Sequence, residues 1–235
     1  MKIRQIALAA NDLAPAVERL GEVLDTEVTY RDPLIKTFGL RNALFTVGSD
    51  FIEVVAPLRE DASAARFLKS AGGDAGYMVI FQTDDLAADR ARIEALGVRV
   101  VWEAALDEIA TIHLHPRDMT AAIVSIDEAR PAPSWHWAGP DWETGPRSGR
   151  ASGITGVELA ARDPRVTAER WSQVVRAEAR PAADGAFEVA LDAGRVRVVP
   201  CSPGEREGIS RIELRAASPD FVGRVHAGGV EFVFS

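Results

Sequence analysis

A single cysteine, Cys201, leaves no internal disulfide to form, so nothing points to an oxidising compartment. No run of ~18 apolar residues, the length that crosses a bilayer, occurs in the chain. The apolar stretch Ile6–Ala10 is too short for the core of a secretory signal, and Asn11 and Asp12 follow at once. These absences give a cytoplasmic expectation with no membrane partner. Lysine is scarce: only Lys2, Lys36 and Lys69 among 27 basic residues. Together with abundant alanine, the arginine excess reads as the codon bias of a GC-rich bacterial genome. The net charge of −8 denies the chain the basic face that releases counterions from nucleic acid, which excludes that partner class. A G-x-S-x-G nucleophile turn is also lacking, and Gly72–Gly76 (GGDAG) reads as a connection, not a phosphate-cradling loop.

What is present is an ordinary globular composition, 47% hydrophobic and 26% charged, in a chain long enough for one large domain or two ordinary ones. The first segment, Ile3–Ala10, has the apolar character of a strand. Asp12 can accept the free N–H groups of a helix start, and Leu13–Leu24 carries apolar residues at helical spacing. Strands are expected at Glu27–Arg31, Asn42–Val47 and Phe51–Ala56, with Gly48-Ser49-Asp50 as the turn between the last two.

The same order then returns. A strand at Tyr77–Thr83, caps at Asp84-Asp85, a helix over Leu86–Leu96 and strands at Val98–Glu103, Thr111–His115 and Ala121–Ile126 form a second unit. NDLAPAVERLGEVL in the first unit is matched by DDLAADRARIEALG in the second. A third unit has a strand at Ile154–Ala161, a helix opened by Asp163-Pro164, and strands Phe187–Leu191 and Val196–Pro200. A fourth starts at Ile209, with a helix expected near Pro219–Val225 and a strand at Val230–Phe234. It reads as truncated, without its third and fourth strands. Between units two and three, Pro131–Arg150 holds four of the 13 prolines and three of the five tryptophans. Leaving Trp135, Trp137 and Trp142 in water would waste ~1.5–3 kcal/mol each, so this stretch should pack down as a linker; an aromatic lid is the rival reading.

Four βαβββ units, each with a strand–Asp–helix junction, resemble the vicinal oxygen chelate superfamily, which includes glyoxalases, bleomycin-resistance proteins and dihydroxybiphenyl dioxygenases. The HPRD sequence at His115–Asp118, followed by an apolar strand, is similar to glyoxalase and methylmalonyl-CoA epimerase relatives. The resemblance implies an α+β fold of paired modules whose mixed sheet curves into a cup. It implies residues 1–130 as a glyoxalase-like domain, 131–150 as linker and 151–235 as a second, degenerate domain. It also implies a divalent metal in the cup, taken by the first and last strands of each module. In module one these slots fall on Gln5 and Glu53, both acceptable ligands. In module two they fall on Met78 (Tyr77 if the register shifts by one) and Ser125, both poor ligands for hard or borderline ions. In the second domain they fall near Gly156 and Val196, which coordinate nothing.

Two protein ligands are too few for a catalytic zinc site, so the expectation is no metal cofactor, with Gln5 and Glu53 as the ligands if one binds. His113 and His115 alternate on one strand and offer a displaced site with Glu53 and Gln5; otherwise they are barrel and strand-end residues. His136 and His226 have no ligand partner in sequence reach. Glu53, facing a cup interior, must be hydrated, paired, protonated or used as a general base. The leading expectation is a metal-free small-molecule site made of Gln5, Glu53, Met78, Ser125, His113 and His115. The alternatives are a metal-dependent lyase, isomerase or epimerase with Glu53 as its catalytic group, and a non-catalytic dimer module. A module cut after its second strand would expose a sheet edge, which the tryptophan segment or a second subunit of a homodimer should cover.

Overall fold

The computed structural model describes residues 1–202 and 204–235. Module one runs β1 (Lys2–Ala9), α1 (Leu13–Leu24), β2 (Leu40–Val47) and β3 (Asp50–Pro57), and a helix α2 (Ser63–Ala71) leads out of it. Module two runs β4 (Ala75–Gln82), α3 (Leu86–Ala95), β5 (Val100–Ala105), β6 (Ile109–Leu114), the single turn α4 (Pro116–Met119) and β7 (Ile123–Ala129). Module three runs β8 (Ala151–Ala161), α5 (Pro164–Val175), β9 (Ala179–Pro181), β10 (Phe187–Ala190) and β11 (Arg195–Pro200). Module four runs β12 (Gly208–Ala216), β13 (Gly223–Ala227) and β14 (Val230–Phe234).

The strands form two mixed seven-stranded sheets, ordered β2-β3-β1-β4-β7-β6-β5 and β13-β14-β12-β8-β11-β10-β9. This is the expected α+β architecture of repeated βαβββ modules. Contacts group the chain into two compact units. One comprises Met1–Arg4, Met78–His136 and Thr155–Ser210; the other comprises Gln5–Tyr77, Trp137–Ile154 and Arg211–Ser235. No described helix is long and apolar enough to cross a membrane.

The helix starts follow one chemical rule. Asp12 accepts from the Ala14 N–H (3.2 Å), Asp85 from Ala88 (2.9 Å) and Asp163 from Val166 (3.0 Å), each satisfying a donor the helix leaves free. The β2–β3 hairpin turns at Gly48 with φ 65°, and a Cβ there would run into the Ser152 carbonyl, so glycine is required twice over.

Three expectations need correction. Glu27–Arg31 is not a strand: only Tyr30 bridges, to Leu44, because Pro33 and the Asp32 cap send the chain into a 3-10 turn over Pro33–Phe38. Module four is the shortest, as expected, but its shortening lies in the middle. Ser218 stands at the cap position, yet Pro219–Phe221 makes only a 3-10 turn before Gly223 opens β13. β14 runs parallel to β12 with Glu213 opposite Val233, as β3 runs parallel to β1 with Ala7 opposite Glu53. The long helix and one short strand are missing, not the last two strands. The edge left at β13 is bordered by α1, whose Arg19 donates to the His226 carbonyl (3.4 Å).

The tryptophan stretch packs down. Trp135 is buried beneath the Arg4 guanidinium, 5.4 Å from its ring centre. Trp142, also buried, meets Phe51 edge to face at 5.2 Å.

Candidate functional site

In module one, strand alternation sets Gln5 and Ala7 on the same face as Phe51 and Glu53, since Gln5 pairs with Phe51 and Ala7 with Glu53. The antiparallel partner adds Leu44, opposite Glu53, and Asn42, two residues away on the same face. Three polar side chains therefore converge inside an apolar sheet, and all are buried: Gln5, Asn42 and Glu53. The Gln5 amide Nε2 donates to Glu53 Oε2 (2.8 Å), and the Asn42 amide Nδ2 donates to Glu53 Oε1 (2.7 Å). Asn42 is fixed at its other end too, because its Oδ1 accepts the Asp32 backbone N–H (2.9 Å). Turning the amide over would set oxygen against oxygen at one end and N–H against N–H at the other.

Burial pushes the Glu53 carboxyl pKa up, the Asn42 and Gln5 hydrogen bonds pull it partly back, and the negative charge of Asp32 pushes it up again; the net result is a raised value. The Tyr77 hydroxyl, bonded to Ser63 (3.3 Å), is also raised, chiefly by burial, with the Glu53 charge contributing.

Module two holds its candidates differently. Met78 is buried on β4, on the face it shares with Ile80 and Gln82. Ser125 is fully buried on β7, and its hydroxyl is bonded to Thr111 (2.9 Å) and to the Asp127 carboxylate, which also accepts from Thr111 (2.9 Å). The His113 ring lies 4.5 Å from that of Trp102, and burial lowers its pKa to about 4, so it is neutral at pH 7. Of the two readings of His115, the strand-end residue bonded to the following turn is the one found, and the face shared with His113 is not. β6 ends at Leu114, and His115 caps the turn α4, its Nδ1 accepting the Arg117 N–H (3.1 Å). Gln5 and Glu53 lie in one compact unit; Met78, His113, His115 and Ser125 lie in the other.

In module three the register corrects one slot by a residue. Glu158 pairs with Arg197 where module one pairs Ala7 with Glu53, so the equivalent position is Arg197, not Val196. A guanidinium coordinates no metal. Its Nε lies 3.6 Å from Glu158 Oε2, and Ser210 donates to Glu158 Oε1 (3.0 Å).

The metal that the resemblance implies does not fit these residues. Glu53 faces two N–H donors, and the Asn42 oxygen is engaged by the backbone. Among the described residues no group of three or more His, Cys, Asp or Glu side chains is placed to hold an ion. Asn42 is the residue that sequence reasoning missed. Its signal was a lone amide inside the apolar run Leu40–Val47, but only the hairpin register shows that it shares a face with Glu53.

Comparison with known proteins supplies the family. The Glyoxalase-like domain family matches residues 6–175. An ethylmalonyl-CoA/methylmalonyl-CoA epimerase of Cereibacter sphaeroides is 24% identical over 133 residues, which is 54% of this chain and 97% of that protein. A hypothetical protein from Staphylococcus aureus has a similar structure across 99% of this chain and 98% of its own, with a TM-score of 0.74 and 12% identity. A Streptomyces coelicolor methylmalonyl-CoA epimerase variant, in complex with 2-nitronate-propionyl-CoA, is 25% identical over 55% of this chain and 97% of its own, with a TM-score of 0.48. The chain belongs to the glyoxalase-like domain family, within the vicinal oxygen chelate superfamily.

Proposed function

We propose that this protein binds a small organic molecule at Glu53 in the first module, without a metal ion. The observation that carries the reading is Asn42, held at one end by the Asp32 backbone and donating at the other to Glu53. With Gln5 it turns the carboxylate into a group already bonded by amide hydrogens, which suits hydrogen-bonded recognition better than metal ligation. A second reading, isomerase or epimerase chemistry with Glu53 as the proton acceptor, is favoured by the raised carboxyl pKa, since a general base works best near the operating pH. The epimerase named among the relatives is consistent with that reading.

Metal content and thermal stability test the proposal together. Protein purified without chelators should carry substoichiometric metal. Its melting temperature should be the same with and without Ni²⁺, Zn²⁺, Mn²⁺ or Fe²⁺, because an ion bound only by the native state would have to stabilise it. Stoichiometric metal that disappears in Glu53→Ala would contradict the proposal.

A further inference from the structure

We propose that module two carries a second binding site, separate from Glu53, for an uncharged aromatic molecule bearing an N–H donor, seated against Trp102 and His113.

The strand registers lay out one face of the sheet in rows. Trp102 pairs with His113, His113 with Ser125, and Ser125 with Ile80, so β5, β6, β7 and β4 each give one side chain to a row. The row on one side is Ala104, Thr111, Asp127 and Gln82; on the other side Ile123 pairs with Met78. All of these but the β5 partners are strand-central, and all lie in one compact unit.

The two ends of this face differ. Thr111, Asp127 and Gln82 are buried, and the chain past β7 returns to this end, where the Gln82 amide Nε2 donates to the Ala132 carbonyl (2.6 Å). At the other end Trp102, His113 and Ile123 stay partly accessible, and His113 is the one residue of β6 that is not buried. Its ring is nevertheless crowded enough for burial to lower its pKa to about 4. A side chain that is accessible and yet stripped of much of its water stands in a recess, not on an open sheet.

The groups around the recess set the ligand. The Trp102 and His113 rings, 4.5 Å apart and tilted by 58°, form a wall against which a planar ring packs. The neutral imidazole has no hydrogen-bond partner among the described residues, which leaves it one donor and one acceptor. In the buried row, Gln82 Oε1 meets no donor among the described residues. An unmet buried acceptor is costly, and a ligand N–H is the group that satisfies it. Strand spacing puts the His113 and Gln82 Cα positions about 12 Å apart, the span of a small aromatic amide with a hydrogen bond at each end. Asp127 is the one carboxylate on this face of the four strands; it is buried and accepts from Ser125 and from Thr111 (2.9 Å). A charged ligand at the two rings therefore finds no counter-charge within reach.

Benzamide, benzoate and benzamidinium share one planar shape and differ in charge, and cyclohexanecarboxamide keeps the amide without the aromatic ring. Calorimetry and carbon-13 NMR of histidine-labelled full chain compare the four. Benzamide should bind, and the other three should bind at least about tenfold more weakly. It should move the His113 ring signal, assigned with His113→Phe, and leave those of His136 and His226 in place. His113→Phe should weaken benzamide about tenfold, the loss of one hydrogen bond, and Trp102→Leu by a similar factor. If either variant folds poorly, the ring signal of the parent protein still decides. A His113 signal that stays in place under excess benzamide, or a charged analogue that binds as tightly as benzamide, overturns the proposal. Benzamide binding that is lost in Glu53→Gln and kept in His113→Phe would put the probe in module one. That result overturns this second site and leaves the reading of Glu53 standing.

Discussion

Replacing Trp171 with alanine should destabilise the protein by about 3–5 kcal/mol, a large part of the stability of an ordinary domain. The residue is fully buried on the inner face of α5, together with Ala168, Val174 and Val175. Its ring meets Phe81 at 6.1 Å, edge to face, and its indole N–H donates to the Met119 carbonyl (2.9 Å). Alanine would leave a cavity in a close-packed interior and deprive a buried carbonyl of this donor. Trp171→Phe should cost less, because most of the volume stays and only the N–H bond is lost. Urea unfolding of the two variants checks this, and a change below about 1 kcal/mol for Trp171→Ala would contradict the packing described.

The second large effect is a pH dependence carried by His113. Burial holds its pKa at about 4 in the folded protein, below the ordinary histidine value, so the folded state binds the proton less well than the unfolded chain. A depressed folded pKa contributes stability that is present above the unfolded value and is lost as the pH falls toward 4. Between pH 7.5 and pH 5 the loss should reach up to about 2 kcal/mol. His113→Phe keeps a ring against Trp102 and removes the titration, so the difference between variant and parent should shift by that amount over the interval. Parallel stability curves for the two proteins would show that the imidazole is solvated and not buried.

Which parts of this molecule could be read from its sequence follows from what each part depends on. Helices α1 and α5 were legible because a capping aspartate and an apolar face at 3.6-residue spacing are local properties of the chain, and α3, which lacks a clear apolar face, from its capping aspartates and the repeat of the first unit. Helix α2 escaped notice because Ala62, at its cap position, makes no side-chain bond; Gly72, left-handed just past its end, was the available sign. Module four misled because the Ser-Pro start of a helix is followed too soon by Gly223, and strand pairing then takes over. At the site, Gln5 and Glu53 come together as expected, since a period of two and the modular resemblance fix their faces. Asn42 and the Arg197 position depend on register between strands, which a single sequence does not display. Alternation alone would put His115 on the β6 face, but the following proline ends the strand one residue earlier.

The account turns on the carboxyl group of Glu53, and carbon-13 NMR of side-chain-labelled glutamate, assigned with Glu53→Gln, observes that group directly. We expect one carboxyl signal that titrates above the ordinary glutamate range and does not move when equimolar Zn²⁺ is added. A Glu53 signal that titrates in the ordinary range, or that shifts with Zn²⁺, would contradict the account.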